Sequence, residues 1–247
     1  MIGNVIKGLT SYGAAVKHIS KHKMWLYVLL PGLLSLLMAA LVISSAIGFS
    51  DSLGALIDGF WKWDFGKSVV EKIAQIFGGL LILAVGAILF KQILMVVLAP
   101  FMSILSAKVE EQVTGNKTET PFSFNKMIAD MLRGLRLAVR NAIRELFVTA
   151  LLFLIGLVPI FTPFTTVLIF LLQSYYAGFG NTDFTLERHF NYRESIRFVR
   201  RNRGLTLGNG IIFMALFLSV IGFIIALPLG TVAATLHTTK KLEKYNI

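Results

Sequence analysis

Residues 24–50 read MWLYVLLPGLLSLLMAALVISSAIGFS, 27 consecutive uncharged residues between Lys23 and Asp51. Wound as a helix, the run is ~40 Å long, enough to cross a hydrocarbon layer ~30 Å thick with some tilt. A signal peptide carries a much shorter apolar region and a small-residue cleavage site. The run is therefore expected to be an uncleaved transmembrane span over 24–50. Pro31 falls in its first turns, where a missing N–H is easiest to accommodate.

The same reading extends along the chain. Residues 73–90 are uncharged, Lys91 interrupts, and 92–107 are uncharged again, which places a second span at about 73–99. A helix begun at Ile73 meets the far interface near Lys91, ~27 Å along its axis. Lys91 is thus expected to snorkel to the headgroups, the alternative being a Lys that faces a polar pathway inside the bundle. The stretch 146–182 holds 37 uncharged residues and is broken by Pro159 and Pro163, while 205–239 holds 35, with Pro228 toward its end and its weakest point near 222–228. Both are expected to be Pro-broken helical hairpins, either tight double crossings or re-entrant pairs. The arm 146–158 reaches only ~20 Å, short of a full crossing. Irregular backbone at that depth survives only inside protein or beside a wet cavity, so re-entrant hairpins point to a pathway or an oligomer.

Composition agrees. Of 247 residues 55% are hydrophobic and 15% charged, with a mean hydropathy of +0.74, whereas a soluble domain is roughly 25% charged. A soluble core of this size cannot hide so much apolar surface. Cysteine is absent and aromatics are plentiful, which excludes disulfide scaffolds and disorder. The fold class is an all-α integral membrane protein, with 1–247 as a single membrane domain.

The net charge of +11 is unevenly placed. Residues 1–23 carry four Lys and no acid, 51–72 three Lys against four acids, and 183–203 six Arg against three acids. If both hairpins return to the side they left, 20 of the 24 Lys and Arg share one side with the N-terminus. The positive-inside rule makes that side cytoplasmic and puts both termini there. Trp25, Tyr27, Trp61 and Trp63 fall at the expected interfaces, where an aromatic belt belongs.

Two connectors are amphipathic. In 123–145, Arg133, Arg136, Arg140 and Arg144 recur every three or four residues, with Met131, Leu132, Leu135, Val139 and Ile143 on another face. Such a helix meets anionic lipid at the interface; the sharper alternative makes Arg133, Arg136 and Arg140 an anion-gathering collar at a pore mouth. In 191–203, Asn191 and Glu194 have the spacing of a reciprocal helix cap, and Asn202 and Gly204 are placed to end the helix.

Catalytic signatures are missing. There is no P-loop, dinucleotide fingerprint, nucleophile elbow or zinc-protease motif in the sequence, so neither an enzyme nor a cofactor is expected. His18 and His22 share a helical spacing, but Lys17, Lys21 and Lys23 around them oppose a cation, and no metal site is expected. Nucleic acid is not an expected partner, since the basic residues follow a membrane boundary.

Three segments carry a family likeness: Met24-Trp25-Leu26-Tyr27-Val28-Leu29-Leu30-Pro31; Ala99-Pro100-Phe101 with Leu105-Ser106-Ala107-Lys108-Val109-Glu110; and Phe198-Val199-Arg200-Arg201-Asn202-Arg203-Gly204-Leu205, with Leu227-Pro228 and Ala233-Ala234-Thr235-Leu236. Their order and spacing over essentially the whole chain resemble the bacterial CysZ-like sulfate transporters of the etoposide-induced membrane-protein superfamily. The resemblance implies two long crossing helices plus two partly inserted hairpins, a homo-oligomer in the inner membrane, and passive sulfate passage feeding cysteine synthesis. It also implies sulfate held at the start of the first span by an Arg pair. The matching positions here are Trp25 and Leu26. Basic residues stand slightly earlier, at Lys21, His22 and Lys23, beside a helix start that favours anions through its N–H groups and dipole. These three are the expected anion-binding residues, and the rival expectation is a membrane-organising or anionic-lipid-binding protein with no transported substrate.

Overall fold

The structure, a computed structural model, describes residues 2–48, 86, 88–116, 124–219 and 222–243. Within them every regular element is helical: α1 (Ile2–Lys21), α2 (Trp25–Gly48), α3 (Ile88–Val97), α4 (Ala99–Thr114), α5 (Phe124–Gly156), α6 (Thr162–Leu186), α7 (Tyr192–Arg201), α8 (Arg203–Phe217) and α9 (Gly222–Leu242). The expected span 24–50 is α2. Most of the expected span 73–99 lies outside the described residues; its end is α3.

The breaks have local causes. Lys23 takes the left-handed conformation at φ 54°, Met24 N donates to Ile19 O at 2.9 Å and Lys23 N to Ser20 O at 3.3 Å. That pattern of paired back-bonds closes a helix C-terminus, and α2 leaves α1 at a bend of 115°. Between α3 and α4 the bend is 65°, where Pro100, at the start of α4, has no N–H to give the preceding turn. The first hairpin turns at 157–161, between Gly156 and Thr162, whose hydroxyl donates to Gly156 O at 2.7 Å. Asn191 and Glu194 form the reciprocal cap of α7.

Three expectations are revised. The connector 123–145 and the first hairpin arm are one helix, α5, of 33 residues, so the arm is not short: it continues an interfacial helix without a stop signal between Arg144 and Leu146. The N-terminal segment, for which the sequence supplied a charge count and a helical His18/His22 spacing but no element, is the helix α1 packed on the second hairpin. That hairpin breaks after Phe217, where Ser219 Oγ accepts from Gly222 N at 3.1 Å, and Pro228 lies inside α9. Pro228 cannot donate to Ile224 O, and α2 comes against that carbonyl: a Cβ added to Gly32 would sit 2.6 Å from Ile224 O.

Packing centres on α8. A Cβ on Gly210 would lie 1.6 Å from Ser174 O of α6, and one on Gly208 would lie 2.2 Å from Val5 O of α1. These helices touch backbone to backbone, the mode small residues permit in membranes. Asn209 cross-links the contact: its Nδ2 donates to Gly230 O at 3.0 Å, its Oδ1 accepts from Asn181 Nδ2 at 2.9 Å, and its carbonyl accepts from the Tyr12 hydroxyl at 2.9 Å. Around this seam Ile19, Val28, Leu98, Leu105, Phe213, Met214 and Leu227 join one apolar core. Outward, Leu33 and Leu41 of α2, Phe147 and Leu154 of α5, and Ile160 and Phe164 of the first hairpin are exposed. So broad an apolar exterior is lipid-facing or partner-facing. Among the described residues α9 alone is long and apolar enough to cross a membrane, and the bent pairs α1–α2 and α3–α4 bring the number to three if each counts as one span.

Gly210→Ala is expected to lower the melting temperature in detergent sharply, by about 2–3 kcal/mol of stability, because the added methyl meets backbone that cannot yield. Gly134→Ala, where nothing lies within 4 Å, is expected to be neutral or stabilising. Equal losses in the two variants would refute the α6–α8 contact.

Candidate anion-handling site

The α1–α2 turn brings Lys21, His22 and Lys23 together, all exposed, at the start of α2. Trp25 and Leu26, 41% and 71% exposed, open the first turn, where Tyr27 N already donates to Met24 O at 3.0 Å and the N–H groups before it lie at the helix start. The His18 and His22 rings lie 4.5 Å apart, tilted by 34°, and His18 Nε2 lies 2.7 Å from Gln112 Oε1. Burial, then the nearby His22 and Lys21, outweigh that hydrogen bond and hold His18 below its ordinary value. Among the described residues no group of three or more His, Asp or Glu is placed to hold a metal.

The three Arg read as a collar do not share one environment. Arg133 turns inward: its Nη1 and Nη2 donate to Asp183 at 2.9 and 3.0 Å, and Nη2 also reaches Ser195 Oγ at 2.5 Å. Arg136 stacks on the Tyr192 ring at 4.8 Å. Arg140 lies over Phe179 at 5.9 Å and lines a cavity of about 410 Å³ with Arg144, Arg193, Arg197 and Arg200.

Two further charged groups are deeply placed. Lys91 does not snorkel. It is 1% exposed, its Nζ donates to Glu145 Oε1 at 2.5 Å, and Gln92 Nε2 donates to the other oxygen at 3.3 Å. Removing an ammonium from water is tolerable only with such a partner, and α5, longer than expected, carries Glu145 to it. In the second group Arg188 Nε and Nη2 donate to Glu110 Oε2 at 2.9 and 2.7 Å, and His189 Nε2 lies 2.5 Å from Oε1. Burial draws the Glu110 carboxyl up, but the His189 hydrogen bond and the Arg188 charge together outweigh it and leave the group below its ordinary value.

The sequence offered an interior Lys91 only as the alternative to snorkelling and named no partner for it, and the Glu110 group was missed. Lys91 and Glu145 are 54 residues apart, and no local spacing signals their pairing. A charge on a span end with a lone acid just before the next apolar stretch was the available cue.

Helices joined at sharp bends, a long apolar exterior and the absence of any strand among the described residues define an all-α membrane protein. The comparison with known proteins is more specific. Residues 11–228 match the family described as EI24: Sulfate transporter CysZ/Etoposide-induced protein 2.4, and the chain belongs to that family. It is similar to the "Sulfate transporter CysZ" of Pseudomonas aeruginosa (strain LESB58), with 26% identity over 239 residues, 96% of each chain. Relatives of the same name in Pseudomonas paraeruginosa and Pseudomonas fluorescens are 25% identical over 96% of each chain and 26% over 64% of each. These relatives are named as transporters, not enzymes.

Lys91→Met and Glu145→Leu are each expected to cost about 3–5 kcal/mol, and the double variant much less than their sum, because only the singles strand a buried charge. Additive losses in a thermal-unfolding cycle would show that the pair is not formed. For Glu110 the folded value lies below the unfolded one, so its stabilisation is present above about pH 4.3 and is lost as pH falls through the lower folded value. The melting temperature in detergent is expected to drop on acidification through that range, and Glu110→Gln to flatten the drop. An unchanged slope in that variant would exclude Glu110 as its source.

Proposed function

We propose that this chain carries sulfate, or a related inorganic oxyanion, across the bacterial inner membrane for assimilation into cysteine. The observation that carries the reading is likeness over nearly the full length to proteins named sulfate transporters. The geometry supports it at one place. Lys21, His22 and Lys23 ring the start of α2, where helix N–H groups and the dipole favour an anion. Lys supplies point charge rather than the bidentate fork of Arg, so weak, fast-exchanging capture suits this entrance. One apolar core shared by α1, α2, α3, α4, α6, α8 and α9, with a second cluster joining α5 and α7 to α6 and α9, supports 1–247 as a single membrane domain. The broad apolar exterior supports a homo-oligomer among lipids, and the charge distribution supports cytoplasmic termini.

The test is uptake of radiolabelled sulfate into liposomes holding the purified protein. Flux above empty liposomes is expected, and Lys21→Gln/Lys23→Gln is expected to reduce it about tenfold, as loss of charge-assisted contacts implies. Uptake at the empty-liposome rate for sulfate, sulfite and chloride alike would overturn the transport reading. An undiminished flux in the double variant would overturn the entrance.

A further inference from the structure

Five arginines line one hollow, and among the described residues no carboxylate is paired with them. Arg140 and Arg144 of α5 and Arg193, Arg197 and Arg200 of α7 line the cavity of about 410 Å³, with Tyr192 and Ile196 completing its wall. The ion pairs Lys91–Glu145, Arg133–Asp183, Arg188–Glu110 and His189–Glu110 draw on none of these five. The crowding is felt at Arg140: burial first, then the charges of Arg144 and Arg200, hold its guanidinium below its ordinary value. Like charges so gathered are stabilised by a bound anion, and the planar fork of Arg fits phosphate oxygens two at a time.

Size and position narrow the anion. Since water takes ~30 Å³ in the liquid, the cavity has room for about a dozen water-sized groups, more than one tetrahedral oxyanion fills. Arg144 stands two residues before the uncharged stretch 146–182, where the sequence predicts a membrane interface. The stripe of α5 next to Arg140 and Arg144 is apolar and open: Ile143 is 62% and Phe147 65% exposed, and Val139 is exposed with them. A basic hollow beside a bare apolar stripe matches a molecule with an anionic head and an apolar tail.

We propose that Arg140, Arg144, Arg193, Arg197 and Arg200 form a headgroup site for an anionic phospholipid, with phosphate in the cavity between α5 and α7 and acyl chain along Val139, Ile143 and Phe147. The site is separate from the α1–α2 turn and does not depend on the transport reading.

The experiment is native mass spectrometry of the full chain in detergent, titrated with cardiolipin, phosphatidylglycerol and phosphatidylcholine, with inorganic phosphate and sulfate as competitors. An anionic lipid is expected to bind at least about tenfold more tightly than phosphatidylcholine, and Arg144→Gln/Arg197→Gln to erase that preference. Arg193→Gln/Arg200→Gln is the second pair should the first not fold, and Lys7→Gln/Arg201→Gln, which removes the same charge outside the cavity, is expected to keep the preference. Equal binding of all three lipids, an equal loss in the control pair, or an unchanged preference in both cavity pairs would overturn the site. Phosphate or sulfate bound in the cavity at millimolar concentration, with no lipid retained, would assign it to a free oxyanion instead and overturn the lipid proposal. Sulfate flux plays no part in these readouts, so failure here leaves the transport reading standing.

Discussion

The contact on which the other helices depend is the backbone-to-backbone seam of α8. Within a bilayer, apolar side chains gain little by leaving lipid for protein, so association falls to close packing and to hydrogen bonds that lipid cannot offer. Gly208 and Gly210 admit α1 and α6 to distances that any side chain would forbid. Asn209, between them, then binds three neighbours through both ends of its amide and its carbonyl. With α8 held in this way, α9 and α2 are placed by Gly230 and by the gap that Pro228 leaves at Ile224.

Charge in this protein divides into two populations. Deep charges are matched: Lys91 with Glu145, Arg133 with Asp183, Arg188 with Glu110. Their partners come from different segments, so each pair ties distant parts of the chain together while satisfying groups that the interior would otherwise expel. Much of the excess basic charge lies elsewhere, at the α1–α2 turn and along α7 with the facing part of α5. Those surfaces are shallow, and their unanswered charge is available to anions and to lipid.

Much of the fold was legible in the sequence where one segment carries its own signal. The uncharged run 24–50, the prolines 159 and 163, and the Asn191–Glu194 cap each act locally, and each produced the element or break they announce. What escaped depended on partners remote in sequence. The helix α1 was hidden by its lysines, although Gly8, Tyr12, Ala15 and Ile19 trace a buried stripe at helical spacing. The pairing of Lys91 was invisible because an unbroken α5 delivers Glu145. Pro228 read as a break because its missing N–H marks a weak point, yet close packing by Gly32 lets α9 run through it. The basic clusters were visible as residues, but not which of them face inward: Arg133 and Arg140 share one helix and one spacing and end in different surroundings.

The two hairpins pack on each other around α8. Thr185 of α6 and Thr235 of α9 test this, since their buried hydroxyls lie 3.0 Å apart and the chain has no cysteine of its own. Oxidation of a Thr185→Cys/Thr235→Cys variant in native membranes is expected to give a cross-link within one chain, read as a mobility shift that reductant reverses and that neither single variant shows. A pair that stays reduced, or that links only between chains, would contradict the arrangement.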